Sequence, residues 1–258
     1  MISLRQVSKS FDGGQTLAVR AVSLEVAERS FLAIIGDSGS GKTTLLKMIN
    51  RLVDADSGEI TIGGESVRTV PAHELRRRIG YVFQGVGLFP HLSVAENIGI
   101  TPSLLGWTEE STAQRAEELI DLVALPRDYL TRMPSELSGG QQQRVGVARS
   151  LAARPPILLM DEPFGALDPV TRDTLGTEVR RLHETMKLTT VMVTHDVMEA
   201  VLLADRIVVM RNGEIVADGE PHELLTGHQD AGVQMLMDMP RRHAERVSAL
   251  LRDRARRG

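Results

Sequence analysis

An apolar run of strand length, Phe31-Leu32-Ala33-Ile34-Ile35, leads directly into Gly36-Asp37-Ser38-Gly39-Ser40-Gly41-Lys42-Thr43. The second stretch fits G-x-x-x-x-G-K-[ST] at every fixed position. Leu45, Leu46 and Ile49 follow on one side of a helix. A buried strand, a glycine-rich turn and a helix in this register point to an α/β fold built around a phosphate-binding loop. Three glycines let the backbone curl so that successive N–H groups face phosphate oxygens. The helix start adds free N–H groups and the positive end of its dipole. Lys42 is expected to reach the β- and γ-phosphates, and the Thr43 hydroxyl to ligate Mg²⁺. The loop from Gly36 to Thr44 is therefore predicted to bind a nucleoside triphosphate.

A second glycine motif lies far along the chain. Leu137-Ser138-Gly139-Gly140-Gln141 runs into Gln142-Gln143-Arg144-Val145-Gly146-Val147-Ala148-Arg149. Val145, Ala148, Leu151 and Ala152 share one helical face, which predicts a helix packed on that side. Ser138 is placed to cap it, and the two glycines let its start approach a ligand closely. Taken alone, this is a capped helix with an anion-binding terminus. Three further segments read as buried strands with polar residues at their carboxyl ends. Pro156-Ile157-Leu158-Leu159-Met160 delivers Asp161 and Glu162, Thr189 to Thr194 ends at His195, and Gly80-Tyr81-Val82-Phe83 is followed by Gln84. Open α/β sheets bind ligands at that end of their strands.

These segments, in this order, resemble the ATP-binding cassette family, whose signature reads L-S-G-G-Q. The resemblance spans roughly residues 1–235. It implies a P-loop NTPase core of the RecA-like kind, with an antiparallel β subdomain and an inserted α-helical subdomain. It also implies roles by position. Asp161 joins Thr43 and Gln84 on or near Mg²⁺, Glu162 is the general base, and His195 holds the γ-phosphate and the attacking water. Ala166-Leu167-Asp168 resembles the D-loop. Phe11 stands where the family places an aromatic that stacks on adenine, often Tyr; the alternative is that, as an aromatic in an early strand usually is, it is core. In the family two chains meet head to tail. Ser138, Gly139, Gly140 and Gln141 of one then close over the γ-phosphate held by the other, and ATP joins them.

The chain has 258 residues, enough to bury a sizeable core as one two-lobed domain. It has no cysteine, so disulfides and thiolate metal sites are excluded. A net charge of −4 and 3% aromatic residues argue against nucleic-acid binding. No run approaches 18 apolar residues, and the start lacks a basic and then apolar leader; cytoplasmic residence is expected. Residues 1 to about 85 carry short β segments with a turn at Gly63-Gly64. Residues about 86–150 lack strand patterning, and Glu109 to Val123 reads as helix; this is the helical lobe. Residues 151 to about 225 return to strand–helix alternation and close on a hairpin, Arg206 to Met210, Asn212-Gly213 and Glu214 to Ala217. Residues 236–258 form a basic tail, expected to be helical, with Arg241, Arg242, Arg246, Arg252, Arg254, Arg256 and Arg257. Such a helix either frays in solvent or lies on anionic lipid. Met235, Met237 and Met239 are read as packing residues.

The resemblance also bears on the work done. A family member without a spanning segment needs separate membrane permease subunits, and in importers an extracytoplasmic solute-binding protein acts with them. Gln84 connects to the helical lobe through Gly85-Val86-Gly87-Leu88-Phe89-Pro90-His91, and that lobe receives a cytoplasmic helix of the permease. Phe89 is the expected apolar anchor, with a core role in the lobe as the alternative. Lys47 to Leu52, and the run from Gln84 to His91 continuing through Leu92-Ser93-Val94-Ala95-Glu96-Asn97-Ile98, are similar to the ATPases of importers of quaternary-amine osmoprotectants such as glycine betaine, choline or carnitine. Those ATPases often end in paired cystathionine-synthase-like modules, for which residues 236–258 are too few. The alternatives are another transporter class (amino acid, polyamine or exporter) or a non-transport member acting on ribosomes or DNA.

Overall fold

Two sheets divide the β structure, and the alternation of apolar residues decides which segment joins which. In the computed structural model, which describes residues 1–246 except 86, 166, 243 and 244, β1 (Ile2–Ser10) pairs antiparallel with β2 (Leu17–Val26). Ile2, Leu4, Val7, Val19, Val22, Leu24 and Val26 point inward, and along the second half of β2 they alternate with exposed Ala21, Ser23 and Glu25, the period of two of a sheet with one wet face. After β3 (Phe31–Ile35), β4 (Ser57–Ile62) and β5 (Glu65–Ser66) complete this four-stranded sheet in the order β2-β1-β4-β5. Gly63 and Gly64 have φ of 59° and 85°, the positive values that the two-residue hairpin turn requires.

The second sheet contains β3, β6 (Ile79–Val82), β7 (Ile157–Asp161), β8 (Thr189–Val193), β9 (Arg206–Arg211) and β10 (Glu214–Gly219). Its order is β10-β9-β3-β8-β7-β6; every pair is parallel except β9 with β10. Strands β3, β7 and β8 are buried along their whole length, as strands covered on both faces must be. The parallel pairing brings the carboxyl ends of β3, β8, β7 and β6 side by side. Asn212 and Gly213, both at positive φ, turn β9 into β10 as the sequence predicts.

Helix α1 (Lys42–Ile49) follows β3, and α2 (Ala72–Arg77) precedes β6. Helices α3 (Val94–Leu104), α4 (Glu109–Leu122) and α5 (Gly139–Leu151) form the expected helical lobe, followed by α6 (Pro169–Met186), α7 (Val197–Leu203), α8 (Pro221–Thr226) and α9 (Ala231–Met237). The lobe shares a core with the sheet: Val94, Ile98, Leu119, Ile120 and Val147 pack in one cluster with Phe31, Leu158 and Met160. Both ends of α5 are satisfied. Ser138 caps the start in a reciprocal box with Gln141, each donating its N–H to the other's side chain. At the other end buried Arg115 of α4 donates to the carbonyls of Leu151 and Ala152 at 3.0 and 3.2 Å. A cation there complements the helix dipole.

The carboxyl-terminal expectations need correction. Met237 is buried, as packing predicts, but Met235 is 58% and Met239 is 41% exposed. Helix α9 also runs through the boundary expected at residue 235, because Val233 and Met237 belong to the main core. Most of the basic tail lies outside the described residues. Residue 83 falls just after β6, not in it.

Candidate active site

The loop after β3 is shaped by what its glycines touch. A Cβ on Gly36 would fall 2.1 Å from the Met210 carbonyl oxygen, and one on Gly41 2.2 Å from that of Ala18. Both residues have positive φ, 143° and 100°. The β9–β10 turn reinforces the seat, with the Gly213 N–H donating to the Ser40 carbonyl at 3.1 Å. Gly41 stands before α1 without a side-chain cap, so the first-turn N–H groups are left for an anion. Lys42 is buried and donates to the carbonyls of Gly36 and Asp37 at 2.7 and 2.8 Å. It has no carboxylate within ion-pair reach among the described residues, and desolvation pulls its ammonium below the usual lysine range. This is a cradle with a buried cation that Glu162, Asp37 and Asp161 support only from a distance, suited to phosphate.

Gly41→Ala is expected to disrupt this cradle. Strain at positive φ and the clash with Ala18 together cost about 3 kcal/mol or more. In a chain of this size that lowers Tm by roughly 6–12 °C, and binding of a fluorescent nucleotide should be lost. Gly39→Ala meets nothing within 4 Å and carries the backbone strain alone. Calorimetry of the pair checks the argument: equal losses would show that the close approach to Ala18 is unimportant.

Beside the loop, the Thr43 hydroxyl donates to Asp161 Oδ1 at 2.7 Å. Asp161 is buried at the end of β7, and its other oxygen accepts from the Tyr81 hydroxyl at 3.3 Å, with Lys47 Nζ at 3.9 Å. The Tyr81 hydroxyl is pushed up by burial and by the neighbouring Asp161 charge. One residue on, Glu162 turns outward at φ 47°, a left-handed conformation held by its N–H donating to the Val193 carbonyl at 2.9 Å. Its carboxylate accepts from Gln84 Nε2 at 2.9 Å and lies 3.5 Å from His195 Nδ1. Gln84, Glu162 and His195 thus meet at the ends of adjacent strands β6, β7 and β8.

The signature segment lies elsewhere. Ser138, Gly139, Gly140 and Gln141 line a cleft of about 480 Å³ with Arg144, Leu167, Asp168 and Thr171. Asp168 caps α6, accepting from the N–H groups of Val170 and Thr171 at 3.1 and 3.0 Å, and the Thr171 bonds hold its carboxyl below the usual range. Ala166 is outside the described residues. Neither the Gly36–Thr44 loop nor the Gln84, Glu162 and His195 group lines this cleft. Phe11 is 67% exposed, which rules out the core alternative for it. Ser10 pairs with Leu17, and Ala18 abuts Gly41, so the turn carrying Phe11 hangs beside the phosphate loop.

Several residues that matter to the site escaped the sequence reading. Asn97 is fully buried; its Nδ2 donates to the carbonyls of Phe89, Leu92 and Ser93, and its Oδ1 accepts from the Phe89 N–H at 2.8 Å. It fixes the loop that carries Phe89, which is 41% exposed and so no core residue. The only signal was the Ser93-x-x-Glu96 capping box, which marks the start of α3. Arg149 at the end of α5 donates to the Gly87 carbonyl at 2.7 Å, tying that loop to the signature helix. No sequence pattern announces a bond across 62 residues.

A parallel sheet with a glycine cradle after β3, and acid, amide and imidazole at its carboxyl edge, defines a P-loop nucleotide-binding protein with an inserted helical lobe. The profile of the ABC transporter family matches residues 19–165, and the chain belongs to that family. The glycine betaine/carnitine/choline transport ATP-binding protein OpuCA of Bacillus subtilis (strain 168) is 54% identical over 225 residues, covering 87% of this chain. This chain spans about three-fifths of OpuCA, 59% of its length. The glycine betaine uptake system ATP-binding protein YehX of Escherichia coli (strain K12) is 51% identical over 247 residues, covering 92% of this chain and 80% of its own. Among solved structures, a dimeric post-hydrolysis state of the ATP-binding cassette MJ0796 bound to ADP and Pi superposes with a TM-score of 0.79 at 34% identity, covering 85% of this chain and 98% of that one.

Proposed function

We propose that this chain is the ATP-hydrolysing subunit of an importer for a small quaternary-amine osmoprotectant, of the glycine betaine or choline class. The observation that carries the proposal is the meeting of Gln84, Glu162 and His195 at the sheet edge that also presents the Gly36–Thr44 cradle. The solute class is supported by the names of the relatives.

The residues present fit ATP and Mg²⁺. Thr43 and Asp161 offer hard oxygen ligands already in contact, and Gln84 keeps its amide oxygen uncommitted while its Nε2 is held by Glu162. No group of three His, Asp or Glu side chains that could hold a metal lies together among the described residues, so the remaining ligands must come from nucleotide and water. Mg²⁺, when bound, neutralises phosphate charge. Lys42 exchanges the loop carbonyls for phosphate oxygens, and Phe11 stacks on the base. Glu162 accepts the proton of the attacking water, and His195 holds that water and the terminal phosphate in line.

The signature cleft serves a second copy. Two chains associate head to tail, Ser138–Gln141 and Asp168 of one completing the nucleotide site of the other, a two-fold arrangement with two equal sites. No helix among the described residues is long and apolar enough to cross a membrane. In our proposal the dimer sits on the cytoplasmic face of the membrane beneath permease subunits, which an extracytoplasmic binding protein supplies. Nucleic acid has no part in it.

The groove lined by Phe83, Gly87, Phe89, Ile100 and Arg149 is where the permease helix docks. Phe89→Ala removes an aromatic anchor, a loss of roughly 2 kcal/mol or more at such a contact. Co-purification with the permease should weaken and radiolabelled glycine betaine uptake should be lost, while ATPase of the isolated protein and its Tm stay near wild type. Normal uptake by that variant would reject the docking site. A wild-type protein that hydrolyses no ATP would reject the proposal as a whole.

A further inference from the structure

Arg172, one turn into α6, takes no part in the site as described so far. Its guanidinium reaches three residues on two segments, the start of α7 and the stretch before α6. Nη1 donates to Asp196 Oδ2 at 3.1 Å, and Nη2 donates to the Leu167 carbonyl at 3.3 Å. Nε stands 3.6 Å from Glu199 Oε1, buried and without a hydrogen-bond partner. A planar fork holds its donors in fixed directions towards such groups; an ammonium, a compact point charge on a flexible stem, does not.

The carboxylates it holds are those that shape the His195 loop. Glu199, largely buried on α7, accepts from the Thr194 hydroxyl at 2.5 Å, and that hydroxyl oxygen accepts the Asp196 N–H at 3.0 Å. Asp196 Oδ1 caps α7 through the N–H groups of Met198 and Glu199. Thr194 and Asp196, on either side of His195, are thus fixed from behind. Only His195 reaches out, 62% exposed, towards Glu162. Burial pushes the Glu199 carboxyl up, and the Arg172 charge opposes that. On its other side Arg172 grips Leu167, which lines the signature cleft with Ser138, Asp168 and Thr171.

We propose that Arg172 is a positioning residue that locks the His195 loop to the Leu167–Asp168 segment, so that the nucleotide site of a chain and the surface it lends to its partner move as one piece. This rests on the dimeric ATPase proposed above. Arg172 touches no reacting atom; it acts through His195 on one side and through Leu167 on the other.

The test uses the full chain with Arg172→Gln, Arg172→Lys and Glu199→Gln, each also combined with Glu162→Gln. Binding of a fluorescent ATP analogue should stay within about twofold of wild type, since no Lys42, Thr43 or Asp161 contact is lost. Turnover should fall at least about tenfold in Arg172→Gln and less in Arg172→Lys, which keeps the charge. The double variant Arg172→Gln/Glu199→Gln should fall no further than the worse single one, as expected for partners in one network. In the Glu162→Gln background, Arg172→Gln should require several-fold more protein to form the ATP-dependent dimer. Turnover within twofold of wild type in Arg172→Gln overturns the proposal. So does a loss of turnover matched by an equal loss of nucleotide binding and Tm in all three variants, which marks a purely structural role. Absence of ATPase in wild-type protein is a separate outcome, and it removes the enzymatic reading instead.

Discussion

Glu162→Gln should abolish turnover while leaving the protein folded and able to bind ATP. Glutamine keeps the length and shape of the side chain and can still pair with Gln84 Nε2 through its carbonyl oxygen. The backbone at Glu162 depends on its N–H bond to Val193 and not on the carboxylate, so its left-handed conformation survives. What disappears is the group proposed to accept the proton, a contribution of about 10²–10⁴-fold. With ATP bound and not consumed, the proposed head-to-tail pair would have no route to open. Size-exclusion chromatography should then show a dimer with ATP and Mg²⁺ and a monomer with ADP. Turnover near wild type in this variant would remove Glu162 from the role of base and shift attention to His195.

Mixing two inactive variants should restore a site that neither can build alone. Ser138→Arg fills the signature cleft and breaks the capping box with Gln141. Lys42→Ala removes the cradle's cation. A mixed pair joins the intact loop of the first to the intact signature of the second, and leaves the other site doubly damaged. ATP-dependent dimer and a measurable fraction of wild-type ATPase should appear only in the mixture. The expectation follows from the separation of the two regions in one chain. The signature cleft is lined by Leu167, Asp168 and Thr171, whereas Gly36 and Asp37 face Val209–Arg211 and α9. If mixing restores nothing although each variant is folded, sites form within single chains, and the proposed pairing is wrong.

Much of the site was legible because its parts are short, local and chemically unambiguous. The strand from Phe31 to Ile35, the turns at Gly63-Gly64 and Asn212-Gly213 and the Ser138 cap depend on neighbours within a few residues, where apolar alternation, positive φ and capping leave a mark in the sequence. The methionines in and just after α9 were less legible. Alternating Met235, Met237 and Met239 cannot all face one side of a helix, and only Met237 reaches the core.

Sequence alone determined which chemistry the chain carries: a phosphate cradle with its lysine, a carboxylate pair after a buried strand, a histidine after another, and a second glycine-rich helix start. It could not determine which of these meet. That was decided by the strand order β3-β8-β7-β6, which sets Glu162 beside Gln84 and His195 across 78 and 33 residues of chain and leaves Ser138 in a different cleft. Parallel pairing is fixed by the burial of both sheet faces, a property of the whole core and not of any one segment. The long-range bonds of Arg115 to Leu151, Arg149 to Gly87 and Arg172 to Asp196 follow the same logic. Each is a polar side chain whose partners become neighbours only once the helices are packed, because a buried donor must find an acceptor wherever the fold has put one.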